Sequence, residues 1–226
     1  MHLPDGFLGP GTSASLMAFT AAVGAVAVRK IKKSFFARQK NPVLATPEGI
    51  TMGGGETTTI TKYGKNTLAD MFLVGVFIFA AQMIDFTIVG GEAGHFLGGA
   101  LAAILLGPLE GMIVLSAVLI IQALFLGDGG MVALGANIFN MAVVGAIGGY
   151  YIYYFLKKYL RRIKTAIFIA AGSSVVLASF AYSLESVIAG SSWNNNFILT
   201  HIIVGIGEGI ITVLMLKAFG FKKKTD

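Results

Sequence analysis

The chain has 226 residues, of which 55% are hydrophobic and only 12% charged, with a mean hydropathy of +0.78. A water-soluble domain usually carries about twice that share of charge, so a soluble globular fold is excluded. No cysteine occurs, which removes disulfide frameworks and thiolate metal sites from consideration.

The chain opens MHLPDGFL. No Lys or Arg precedes the first apolar run, so a cleavable signal peptide is not expected, and the mature chain is expected to begin Met1-His2. Seven hydrophobic segments follow, at 13–29, 68–86, 95–108, 110–127, 131–156, 165–189 and 197–219. Several reach the length of roughly 20 residues that crosses a bilayer core. The period-2 alternation of a transmembrane barrel is absent. The expected fold is therefore all-α: a polytopic helical membrane bundle of about seven transmembrane helices, forming one integral membrane domain over 1–226. The third segment is short, about 20 Å at 1.5 Å per residue. It is expected beside a re-entrant or buried loop, because irregular backbone is tolerated at membrane depth only inside protein.

The basic residues orient the bundle. Arg29, Lys30, Lys32, Lys33, Arg38 and Lys40 follow segment 1, and Lys62 and Lys65 precede segment 2. Lys157, Lys158, Arg161, Arg162 and Lys164 lie between segments 5 and 6, and Lys217, Lys222, Lys223 and Lys224 close the chain. With seven spans all 17 Lys and Arg residues fall on one side, which the positive-inside rule makes cytoplasmic. The N-terminus is then outside and the C-terminus cytoplasmic. The net charge of +6 reads as topology, not as a nucleic-acid-binding surface. The polar, glycine-rich 34–67 stretch reads as a long cytoplasmic loop. It holds no phosphate-binding G-x-x-x-x-G-K-[ST], so the chain carries no ATP motor.

Topology gathers the three histidines, His2, His95 and His201, at the outer face. A free α-amine, the amide nitrogen joining residues 1 and 2, and Nδ1 of His2 form a natural tridentate chelate with fused five- and six-membered rings. One further imidazole completes a planar set of four nitrogens suited to Ni(II) or Cu(II), and open also to Co(II). His95, set in GGEAGHFLGG, is the candidate for that fourth ligand. Pro4-Asp5-Gly6 is a turn that folds the terminus back into the bundle. On spacing alone, a loop leading into a helix with an incidental histidine fits equally well.

MHLPDGFL, IFAAQMIDF, GGEAGHFLGGALAAILLGP, DGGMVALGANIFNM and HIIVGIGEGIIT together resemble the cobalt/nickel substrate-capturing membrane components of energy-coupling-factor transporters, the CbiM/NikM family. The resemblance runs over most of the chain outside 34–67. It implies a substrate-binding subunit, not an enzyme, with Co(II) or Ni(II) as transported ligand and no cofactor. It places the metal on the amine of Met1, the backbone nitrogen and side chain of His2, and His95. It further implies residence in a prokaryotic cell membrane, a transmembrane coupling subunit, two ATPase subunits and a small accessory membrane subunit as partners. Glu92 and Ala93 depart from the family's usual GTSGH. Glu92 is expected to add negative potential at the entrance.

Gln82, Asp85, Asn137, Asn140 and His201 are candidates for orienting the ligands or their loop, since polar groups inside a bundle are costly and often functional. Helix-to-helix hydrogen bonding accounts for them equally well. Glu208 is assigned to a packing network, with no ligand role. Small residues four apart, such as Ala21/Ala25, Gly99/Ala103/Gly107 and Gly205/Gly209, are read mainly as close helix packing, with Ala21/Ala25 a possible face for a partner. Rival functions are a stand-alone divalent-cation permease, a vitamin-binding component of the same transporter class and an intramembrane metalloenzyme. The last lacks H-E-x-x-H and an open coordination position.

Overall fold

A computed structural model describes residues 2–40 and 56–219. Among the described residues, six helices are long and apolar enough to cross a membrane: Pro10–Phe35, Lys62–Gln82, Pro108–Leu126, Leu134–Tyr159, Ile163–Ile188 and Asn195–Ala218. They correspond to six of the seven expected segments. Helix α1 (Pro10–Phe35) starts with proline at its first position, where the missing N–H costs nothing. It ends on Lys32 and Lys33, and cations favour the negative end of a helix dipole. Helix α2 (Lys62–Gln82) is capped by Thr61, whose hydroxyl accepts from the Gly64 amide at 3.0 Å.

The stretch expected as a long loop contains a strand pair. Strand β1 (Phe36–Lys40) pairs antiparallel with β2 (Glu56–Ile60). The rest of that loop, 41–55, lies outside the described residues. Thr61 donates its backbone N–H (2.8 Å) and its hydroxyl (3.0 Å) to the Phe35 carbonyl. That double contact joins the end of α1 to the start of α2.

The third expected segment is not a long helix. Helix α3 (Gly99–Leu106) has eight residues, about 12 Å, and nearly all are buried. It lies at the centre of the bundle, where its small residues admit neighbouring backbones. A Cβ at Gly99 would overlap the backbone at Ala146, and one at Gly111 the backbone of Ala103. Helix α4 (Pro108–Ile121, with a π-helical end at Gln122–Leu126) returns from α3 through Gly107, whose φ of 121° suits only glycine. The fifth long helix runs as α5 (Leu134–Ile138), a π-helical stretch (Phe139–Gly148) and α6 (Gly149–Tyr159). Helices α7 (Ile163–Ile188) and α8 (Asn195–Ala218) approach closely where Gly172 faces Gly205. Large exposed side chains such as Phe72, Phe125, Ile188 and Leu214 ring the outside, as lipid contact requires. Ala21 and Ala25 are also exposed, so that pair is not used for packing within the chain.

The segment between α2 and α3 runs alongside α8. Its two-residue strands β3 (Phe86–Thr87) and β4 (Ala93–Gly94) form a small hairpin. The Val89 amide donates to Thr200 Oγ1 at 3.2 Å, Gly94 lies against Val204, and the Leu97 and Gly98 amides reach Glu208. Successive points on the segment therefore meet successive turns of α8, descending about 12 Å between residues 200 and 208. Extended chain and a short buried helix together make up the segment at 95–108, which was expected to be short and to lie beside a re-entrant or buried loop.

The α3–α4 contact gives a direct test. Gly111→Val should cost ~1–3 kcal/mol through overpacking and lower the thermal unfolding midpoint in detergent by several degrees. Ala21→Val, on an exposed face, should leave it unchanged.

Candidate metal centre

The opening segment is drawn into the bundle by one fully buried side chain. Leu3 is 0% exposed and packs with Leu8, Ala133 and Ala136, flanked by Phe7, Leu16, Tyr182 and Ala189. Burying a leucine of this kind contributes about 1.5–3 kcal/mol. It also carries backbone polar groups out of water, and these need partners. Asn137 supplies them in the manner of a neighbouring strand. Its Oδ1 accepts from the Leu3 amide at 2.8 Å, and its Nδ2 donates to the Leu3 carbonyl at 3.1 Å. The Gly130 amide donates to the same carbonyl at 2.8 Å.

The expected turn is present, with Gly6 at φ 81°. Asp5 does more than bend the chain. Its Oδ1 accepts from the amides of Val132 (2.7 Å) and Ala133 (3.2 Å), just before α5. Carboxylates are favoured there because leading N–H groups lack partners within the helix. Gly130 has to be glycine, since a Cβ would overlap Asp5.

These contacts place the His2 ring 4.9 Å, centroid to centroid, from the ring of His95, at an interplanar angle of 36°. Both imidazoles are largely buried, with the His2 side chain 7% and His95 6% exposed. Nδ1 of His95 bonds the Phe96 carbonyl at 2.9 Å. As a carbonyl only accepts, Nδ1 carries the proton and Nε2 the lone pair. His2 Nδ1 lies 2.6 Å from Oδ1 of Asp128. That hydrogen bond holds the Asp128 carboxyl below its ordinary pKa of 3.8. Nε2 of His2 is buried without a hydrogen-bond partner among the described residues. Met1 itself lies outside the described residues.

The other expected residues divide. Gln82 holds the His95 segment, donating from Nε2 to the Leu97 carbonyl at 2.8 Å. Asn137 clamps the N-terminal segment instead. Asn140 donates to Glu185 at 2.7 Å, a bond between α7 and the π-helical stretch. His201 bonds the Phe197 carbonyl in its own helix at 2.8 Å and packs on the Phe197 ring. Asp85 is exposed and does not join this buried group. Glu92 accepts from Asn194 at 2.7 Å on the surface, tying the β3–β4 turn to the start of α8.

Sequence reasoning missed Asp128, which touches His2. It read Asp5 only as part of a turn and Glu208 only as part of a packing network, whereas Asp5 also fastens its loop to the residues before α5 and Glu208 holds the backbone just after His95. The DGG motif was a signal for the first. For the last, an acidic residue deep in an apolar helix was the only sign.

Histidines 93 positions apart, brought ring to ring inside a multi-pass membrane protein, define a class: an integral membrane protein with paired imidazoles in its interior. A family profile described as CbiM, cobalt uptake substrate-specific transmembrane region, matches residues 49–224, and the chain belongs to the CbiM family. The cobalt transport protein CbiM of Acetoanaerobium sticklandii is 33% identical over 177 residues, covering 74% of this chain and 73% of that protein. The fused nickel transport protein NikMN of Rhodobacter capsulatus is 37% identical over 145 residues, 64% of this chain and 34% of its own length. The fused relatives extend well beyond the match, which spans half of their length or less. A crystal structure of a truncated transition metal transporter superposes with a TM-score of 0.77 at 28% identity, covering 97% of this chain and 98% of that one.

The clamp on Leu3 predicts a measurable consequence. Asn137→Ala leaves the buried Leu3 amide without its partner, while the Leu3 carbonyl keeps the Gly130 amide, at a cost of about 1–3 kcal/mol. Hydrogen exchange at the Leu3 amide should quicken by about tenfold or more, with helix content by circular dichroism unchanged.

Proposed function

We propose that this protein captures Co(II) or Ni(II) for uptake, as the substrate-binding component of an energy-coupling-factor transporter. The observation that carries the reading is the His2–His95 ring contact at the end of a chain terminus clamped inside the bundle. An imidazole fixed as an Nε2 donor beside a second imidazole suits a borderline divalent ion. The names of the relatives agree with cobalt or nickel as the cargo.

The Met1 amine, the His2 amide nitrogen, His2 Nδ1 and His95 Nε2 would hold the ion. His2 Nδ1 faces Asp128, so chelation through that nitrogen exchanges a carboxylate contact for a metal bond. The site accepts the ion from outside. Release inward is driven by partners, since no phosphate-binding motif occurs in the sequence. Those partners are a transmembrane coupling subunit, two ATPase subunits and a small accessory membrane subunit. In this reading the extended 95–98 chain and α3 make the seventh pass, with the N-terminus outside and the C-terminus cytoplasmic. Lys32, Lys33, Lys157, Lys158 and Lys217 at helix C-termini support that orientation.

A stand-alone permease would want acids available to a proton or ion path. Glu185 is engaged by Asn140, and Glu208 by two backbone amides, which disfavours it.

Binding measurements test the reading. One extra residue ahead of Met1 converts the amine to an amide, and tight Ni(II) or Co(II) binding by calorimetry should disappear while the protein stays folded. His95→Ala should weaken binding without abolishing it. Metal binding displaces protons from the amine and amide, so affinity should rise with pH through the amine range near 7.7–8.0.

A further inference from the structure

Glu208 is 1% exposed and sits midway along α8, where a lone carboxylate is costly. Both of its oxygens are engaged with backbone of another element. Oε2 accepts from the Leu97 amide and Oε1 from the Gly98 amide, each at 2.8 Å. These amides belong to irregular chain at the start of α3, with Gly98 at φ 77°, so no helix or sheet partner is available to them. Gln82 holds the Leu97 carbonyl from the opposite side of the sequence. Leu97 is thus gripped at both its N–H and its C=O, in two successive peptide units, by side chains of two different helices. His95 precedes it by two residues, and no regular structure intervenes.

We infer that Glu208 is a positioning residue for metal binding: through its two-amide clamp, α8 sets where the His95 imidazole stands relative to His2. The inference rests on the capture reading above, in which His95 is a ligand. A plain fold-stabilising carboxylate would need only to satisfy buried amides. A positioning carboxylate must do so with both oxygens at once, because a single bond leaves the peptide free to rotate about it. Glutamine has one acceptor oxygen and would turn its NH2 toward an N–H. Glu208→Gln therefore breaks one arm of the clamp while nearly preserving volume.

The test is a double-mutant cycle on the full-length protein in detergent, with Ni(II) or Co(II) alone as probe. Glu208→Gln should weaken binding tenfold to a hundredfold, the range typical of residues that orient a ligand from behind. It should shift the d–d absorption of the loaded protein toward that of His95→Ala. In the His95→Ala background the same substitution should add less than twofold, since two changes acting through one ligand are not additive. In the metal-free protein, exchange at the Leu97 and Gly98 amides should quicken at least tenfold. Equal losses in both backgrounds, or an unchanged spectrum, would overturn the inference and leave Glu208 a structural residue. If His95→Ala itself binds as tightly as wild type, the capture reading fails, and this inference with it. Should Glu208→Gln not fold, Glu208→Asp, which is too short to serve both amides together, is judged by the same criteria.

Discussion

Two stretches of irregular backbone lie buried in a bundle whose surroundings are hydrocarbon, and everything at the site depends on satisfying their peptide groups. Water cannot serve them there, and each buried group left without a partner costs about 1–3 kcal/mol. The protein meets this constraint with side chains that imitate backbone. Asn137 presents an amide to Leu3 as a neighbouring strand would, and Asp5 anchors the turn below it. Glu208 and Gln82 do the same for the segment after His95. Irregular chain is thereby made as well determined as helix, and each clamped segment carries one imidazole.

The arrangement also accounts for the shape of the third segment. A continuous helix over 95–108 would keep its backbone groups to itself and offer only side chains to the interior. Extended chain running down α8 exposes peptide groups that can be grasped, and it brings His95 deep beside the N-terminal segment. Small residues around α3 and α4 make room for it. Gly99, Gly111 and Gly149 each lie where a methyl group would collide with a neighbour. Close packing is therefore a condition of the site and not merely of the fold.

Much of this was legible from the residues. Charge counting and hydropathy located the membrane segments, because desolvating charge is costly enough to dominate any other preference. His2 and His95 were singled out by their chemistry, and the Pro4-Asp5-Gly6 turn by its backbone limits. Gln82 and Asn137 were suspected because an amide within an apolar run needs a reason. Which backbone each one held was not legible, since a hydrogen bond across 134 residues, as between Leu3 and Asn137, leaves no local pattern. The strand pair after α1 was missed for the same reason: its partners are separated in sequence and carry no hydrophobic alternation.

The sequence by itself determined the membrane class, most of the spanning segments and the histidines worth following into the bundle, because each follows from solvation or bonding that single residues carry with them. Tertiary structure alone decided that Asp128 meets His2, that Asp85 stays outside, and that a deep acid on the last helix grips the His95 segment. Those outcomes depend on the relative height and rotation of helices, set by packing among small residues distributed over the whole chain, and no short stretch encodes them.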